Sequence, residues 1–120
     1  MIETIKHISY KGKDYPLAFN FNVLEKIQDK YGSYEKWGEM TDGKGQEMNI
    51  GAFKFGVLEM INEGIDIENE DKEEKMEFVT LKQVGRIITE IGIQKMTDRV
   101  QETVIESTKD KDKDEEEKNV

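Results

Sequence analysis

The sequence contains no cysteine, a single histidine and a single proline among its 120 residues. Without cysteine, neither a disulfide framework nor a thiolate that binds a metal or attacks a substrate can form. His7 has no second histidine with which to form a metal-binding pair, and its position in a predicted strand places it opposite the apolar face, towards solvent. These absences exclude several common kinds of catalytic and metal site.

Basic residues are also in deficit, with 18 Lys and Arg against 27 Asp and Glu and a net charge of −9. This charge repels phosphate backbones and anionic lipids, so we expect neither nucleic acid nor a membrane as a partner. The most apolar stretch, residues 50–61, is interrupted by Lys54 and Glu59, and residues 1–10 contain no apolar run typical of a signal peptide. The sequence therefore predicts a soluble, intracellular protein.

The charged residues are concentrated in two segments. Residues 66–77 hold seven acids against two lysines, and residues 108–120 are nearly all charged. Such segments bury too little apolar surface to offset the entropy lost on ordering. We expect one domain at residues 1–107 that contains an acidic loop at 66–77, followed by a disordered charged tail at 108–120.

The N-terminal pattern predicts a β-hairpin. Two segments with alternating apolar residues, 4–10 and 14–19, are separated by a turn at residues 11–13. Pro16 lacks an N–H group, which favours an edge position in the second strand. Because a two-stranded hairpin is marginally stable alone, its apolar face is expected to pack on helices.

The apolar period changes from two residues to about 3.6 near residue 20. A first helix begins at Asn20 or Asn22, either of which can cap it, and ends at Gly32. Ser33 can cap a short second helix, after which residues 42–45 break the chain. Both helices are amphipathic, so each should cover part of the core.

The most apolar predicted helix spans residues 50–62, with Asn49 as its cap and Gly64 at its end. Because it is apolar on most sides, we expect it to be the central helix. Beyond the acidic loop, Thr80 and Gln83 match a capping box that begins a fourth helix.

The fourth helix carries Gly85 and Gly92 seven residues apart, where the missing side chains should allow another helix to approach. A fifth helix is predicted at residues 94–107. The expected fold is of the α+β class and mainly helical, with an N-terminal β-hairpin packed on about four α-helices.

The remaining patterns argue against catalysis. No serine lies in a strand-turn-helix elbow, and the glycine pairs match no phosphate-binding fingerprint. Residues 66–77 match the oxygen positions of a calcium-binding loop, but Asp71 stands where that loop requires glycine. We therefore expect no enzymatic activity, no metal site and no cofactor.

Two groups of apolar side chains are candidates for contact with a partner, although the same spacing is typical of core residues. The second helix carries tyrosine and tryptophan, which often dominate binding energies. The fifth helix carries a narrow apolar stripe that can dock on the body of the domain or on a partner. The candidate partner-binding residues are Tyr34, Trp37, Met40, Val100, Val104 and Ile105.

The order of these elements resembles that of the tail assembly chaperones of long-tailed bacteriophages and prophages, in their short form. The likeness covers most of residues 5–106. It includes the segment YKGKDYPLAFNFNVLEKIQDKYGS at 10–33, the tryptophan helix, the apolar helix at 49–61 and the Thr80-Leu81 start of the last helical pair. The family's binding residues do not transfer to particular positions here.

This resemblance implies a small acidic cytoplasmic protein without enzymatic activity that coats the helical tape measure protein until tail tube subunits replace it. It further implies self-association in several copies on that partner and absence from the mature virion. Two other classes stay open. One is an acidic inhibitor or antitoxin-like protein that binds a basic partner, and the other is a minor structural protein of the virion tail.

Overall fold

Two antiparallel strands and five helices follow one another in residues 1–109, the part of the chain that the computed structural model describes. The predicted α+β class, with an N-terminal hairpin and a mainly helical remainder, is confirmed. Of the tail predicted at 108–120, residues 110–120 lie outside the described part. The elements are β1 (Ile5–Tyr10), β2 (Lys13–Ala18), α1 (Phe21–Tyr31), α2 (Tyr34–Thr41), α3 (Ile50–Asn69), α4 (Leu81–Ile91) and α5 (Ile93–Ser107).

The hairpin turns at Lys11 and Gly12, which both have positive φ angles, of 49° and 77°. Two such residues in succession match the right-handed twist of the flanking strands, which explains the tight connection. In the resulting register Ile8 lies opposite Tyr15. The two side chains therefore lie on the same face of the hairpin.

Helix α3 covers β2 at a close approach between Gly64 and Pro16. A Cβ atom built at Gly64 would lie 2.8 Å from Pro16 Cβ, so only glycine fits here without a shift. Pro16 and Leu17 are both buried although their side chains point to opposite faces of the strand. Strand β2 is thus enclosed on both sides, by α3 on the Pro16 side.

The predicted end of the third helix at Asn62 and Gly64 is wrong, because α3 continues to Asn69. Gly64 lies inside the helix, where it admits Pro16, and Ile65 directly after it is fully buried. Burial of the residues beyond Gly64 extends the helix through a position that usually ends one. The predicted acidic loop at 66–77 is correspondingly shortened, because its first four residues are helical.

Local capping signals set the helix starts. Asn20, and not Asn22, caps α1 by accepting hydrogen bonds from two backbone N–H groups, while Ser33 and Asn49 cap α2 and α3. The predicted capping box of α4 is present, with reciprocal bonds between Thr80 and Gln83. Each cap satisfies backbone donors that the first helical turn leaves without partners.

Two asparagines of α3 hold the segment that leads to α4. Asn62 donates to the carbonyl of Val79 at 3.1 Å and accepts from its N–H at 2.8 Å. Asn69 forms the same pair of bonds with Met76, both at 2.9 Å. Each side-chain amide thus pairs with one residue of the segment as a neighbouring strand would, which ties residues 76–79 to α3.

The core is centred on α3, as its sequence predicts. Eight of its residues are buried, more than in any other described helix, and it contacts β2 and the helices α1, α2 and α4. Helix α5 reaches both strands of the hairpin. Its end is joined to the N-terminal segment by a hydrogen bond from the Ile2 N–H to the Ser107 carbonyl, at 2.9 Å. The fully buried large side chains of α3 are Phe53, Val57, Met60, Ile61 and Ile65.

Candidate interaction site

Trp37, one of the candidate partner-binding residues, packs closely against α3. Ser33 starts α2 so that Trp37 faces α3, where its indole Nε1 donates a 2.8 Å hydrogen bond to the carbonyl of Ala52. Gly56 provides the space beneath the ring, because a Cβ atom there would lie 2.2 Å from Trp37 Cζ2. The tryptophan is 3% exposed. It therefore anchors α2 to α3 within the domain.

The structure brings four of the six predicted residues to one cleft between α2 and α5. Tyr34, Trp37, Val100 and Val104 line this cleft, whose volume is about 370 Å³. Trp37, Val100 and Val104 are nevertheless buried. The contact of α2 and α5 with the core covers these three side chains, so they offer little apolar surface to a partner.

The two other predicted residues lie elsewhere. Met40 is half-buried against the core, and Ile105 points to solvent with 63% of its surface exposed. Neither lines the cleft between α2 and α5. Of the six predicted residues, Ile105 alone offers a large exposed apolar side chain.

Tyr34 joins the aromatic residues at the edge of the cleft. Its ring centroid lies 5.6 Å from that of Phe19 and 5.7 Å from that of Trp37. Burial raises the pKa of the Tyr34 phenol above its usual value, and the nearby Glu35 carboxylate raises it further. The phenol thus keeps its proton at neutral pH and acts as a packing residue with a polar tip.

A larger groove lies where α3, α4 and the start of α5 meet the hairpin turn. We call it the basic groove; its volume is about 880 Å³. Helix α3 supplies Ile50 and Phe53 at one wall, and α4 supplies Ile88 at the other. Four cations stand around this apolar surface, with Glu90 as the single acidic lining residue. These cations are Lys11, Lys54, Lys82 and Arg86.

Two glycines shape the basic groove. At Gly85 the missing side chain leaves space that the end of Lys54 occupies, since a Cβ atom there would lie 3.3 Å from Lys54 Cε. Gly92 has a φ angle of +100° and ends α4, so that α5 begins at the next residue, Ile93. The prediction that Gly92 admits a neighbouring helix is wrong, because no atom lies within 4 Å of a Cβ built there.

The residue patterns did not point to the basic groove, although two signals for it exist. Ile50 lies on a helix that is apolar on most sides, which favours burial, yet 54% of it is exposed. Lys82 and Arg86 are four residues apart, which places two cations on one face of α4. No pattern in the sequence joins that face to Ile50 or to Ile93, because the three elements meet only in the folded chain.

The titratable residues form few close groups. His7 is exposed, as predicted, and its Nε2 atom lies 2.7 Å from a carboxylate oxygen of Glu68 on α3. In residues 1–109 no group of three or more His, Asp or Glu side chains is placed to hold a metal ion.

Within the same residues, no helix combines the length and the apolar character needed to cross a membrane.

Comparisons with protein-family models, with curated proteins and with solved structures found no match for this chain.

Proposed function

We propose that this protein is a tail assembly chaperone of a long-tailed bacteriophage or prophage, which binds the tape measure protein and promotes assembly of the tail tube around it. It acts in the cytoplasm of the bacterial host, in several copies and without a catalytic step. It leaves the complex when tail tube subunits replace it, so it does not become part of the virion.

The observation that supports binding is the set of large apolar side chains left at the surface of a strongly acidic chain. Ile50 is 54% exposed, Phe21 69%, and Ile105 63%, while the net charge is −9. Exposed apolar side chains can cover the apolar stripe of a helical partner, and the surrounding charges keep the complex in solution. The resemblance of residues 10–33 and of the element order suggests the tape measure protein as that partner.

Co-expression with the tape measure protein of the same genome tests the proposal. We expect the tape measure protein to be insoluble alone, and to become soluble and copurify with several copies of the chaperone when both are made. A long coiled-coil protein of unrelated sequence serves as the control and should not be captured. A folded chaperone that neither solubilises nor captures the tape measure protein would contradict the proposal.

Two further measurements distinguish the proposed chaperone from the two other classes. Purified virions should lack this chain, whereas a minor structural protein of the tail would be found in them. An acidic inhibitor would bind a basic partner mainly through charge, so its complex would dissociate in about 0.5 M salt, where the Debye length falls to a few ångströms. Complexes with the tape measure protein should persist there, because apolar contacts resist salt.

A further inference from the structure

The charge of the basic groove is opposite to that of the whole chain. The chain carries a net charge of −9, whereas the groove is lined by four cations and one carboxylate. A positive groove on a negatively charged chain favours a ligand with negative charges, because complementary potentials steer binding and exclude wrong partners.

The cations of the basic groove are available to a ligand. In residues 1–109 the ion pairs within 4.0 Å involve Lys6, His7, Lys72 and Arg99, and none of the groove cations. Lys82 and Arg86 project from successive turns of α4 and are exposed, and Lys54 reaches across Gly85 from α3. Two helices thus present charge to the same opening.

The apolar side chains of the groove complete the pattern. Ile50 and Ile93 are 54% and 42% exposed, and both border the opening beside Ile88 and Tyr10. Burying two such isoleucines under a partner stabilises a complex, because it removes their apolar surface from water. A phosphate or a nucleic-acid backbone leaves this surface uncovered, whereas an amphipathic helix covers it.

We propose that the basic groove binds an amphipathic α-helix of a partner protein, whose apolar stripe covers Ile50 and Ile93 and whose flanking Asp and Glu residues pair with Lys54, Lys82 and Arg86. The identity of the partner as the tape measure protein rests on the proposed function; the chemistry of the bound helix does not. Helix-in-groove recognition uses apolar anchors at i, i+3, i+4 and i+7 in this way.

Synthetic peptides test the chemistry directly. The probe is a fluorescent helical peptide of about 18 residues with leucine at i, i+3, i+4 and i+7 and glutamate beside the stripe. One matched peptide replaces glutamate by lysine, and another replaces leucine by serine. By fluorescence anisotropy the leucine–glutamate peptide should bind, and each matched peptide should bind about tenfold or more weakly. Equal binding of the serine peptide would overturn the proposal, because charge alone would then explain the affinity.

Matched substitutions locate the binding site. Lys82→Glu and Ile93→Ser should each weaken the leucine–glutamate peptide by about tenfold. Lys26→Glu on α1 and Phe78→Ser before α4 make comparable changes at exposed positions outside the groove and should leave binding unchanged. Circular dichroism melts of all four variants show whether each stays folded. Equal losses in both pairs would overturn the assignment of the groove.

Competition with an oligonucleotide and capture of the tape measure protein complete the test. A single-stranded oligonucleotide should not displace the peptide; displacement would overturn the proposal in favour of a phosphate-binding groove. If the variants lose the peptide but the natural chain fails to capture the tape measure protein, the proposed function fails and the groove inference holds. If capture is intact in folded groove variants, the groove inference fails for this partner while the proposed function holds.

Discussion

Trp37 on α2 lies directly over Gly56 on α3, so closely that a Cβ atom at residue 56 would be 2.2 Å from Cζ2 of the indole. The indole also donates a hydrogen bond to the carbonyl of Ala52 in the preceding turn of α3. A glycine on one helix and a tryptophan on another thus form one contact that positions α2. The contact therefore requires glycine at position 56 as much as it requires tryptophan at position 37.

Gly56→Ala should therefore destabilise the domain. The added methyl group must displace the indole, and overpacking of this kind costs about 1–3 kcal/mol even though alanine favours the helix. Gly38→Ala on α2 is the matched control, because no atom lies within 4 Å of a Cβ built there. It should raise the free energy of unfolding by about 0.5–1 kcal/mol. Urea unfolding of the two variants checks both signs, and a stabilised Gly56→Ala variant would contradict the packing described.

Asn62→Ala should loosen the segment before α4. The variant removes both bonds to Val79 and leaves a backbone N–H and a carbonyl without partners, at a cost of about 1–3 kcal/mol. Hydrogen exchange should show lost protection at the Val79 amide. Asn22→Ala, which removes an exposed bond to Glu63, is the control and should change stability by about 0.5 kcal/mol or less. Unchanged protection at Val79 would show that the asparagine does not hold this segment.

Val100→Asp and Ile105→Asp should differ sharply although both lie on α5. Val100 is 3% exposed, so the first variant buries an unpaired carboxylate and should unfold or lose about 4 kcal/mol. Ile105 is 63% exposed, and its variant should lose about 1 kcal/mol or less, mainly from a negative charge near the helix C-terminus. Thermal melts measure the difference, and similar melting temperatures would contradict the assigned faces of α5.

Tyr34 should contribute a loss of stability at alkaline pH. Its folded pKa is raised, first by burial and then by Glu35, so below about pH 10 both folded and unfolded chains keep the proton and the contribution is intact. As pH rises further, the unfolded chain releases its proton first, and the free energy of unfolding falls.

Tyr34→Phe should therefore lose less stability than the natural chain between about pH 9 and pH 11. Burial also raises the pKa of Tyr31, so part of the alkaline loss should remain in the variant. Glu35→Gln removes the smaller cause of the raised Tyr34 pKa. Its loss of stability should therefore lie between that of the natural chain and that of Tyr34→Phe. Urea unfolding at both pH values gives the comparison, and parallel losses in all three proteins would assign the alkaline sensitivity to other groups.

Sequence reasoning succeeded where the cause of a structure is local. Ser33, Asn49 and Thr80 were recognisable as caps because a side-chain oxygen next to the backbone N–H groups of a first turn needs no distant partner. It failed at Gly64, where a residue typical of a helix end lies inside α3 because Pro16, 48 positions away in the chain, packs against it. It also failed to separate exposed from buried residues on α3, because a helix that is apolar on most sides has no distinctive face.

The amino-acid sequence by itself determined the hairpin, the order of the helices and most of their starting points, because these follow from apolar periodicity and from hydrogen bonds between near neighbours in the chain. Only the tertiary structure decided that Trp37 is buried, that α3 extends to Asn69 and that Ile50 and Ile93 share a groove with Lys82. Burial depends on which elements pack against each other, and that choice is made by contacts between residues far apart in the chain, which no local pattern records.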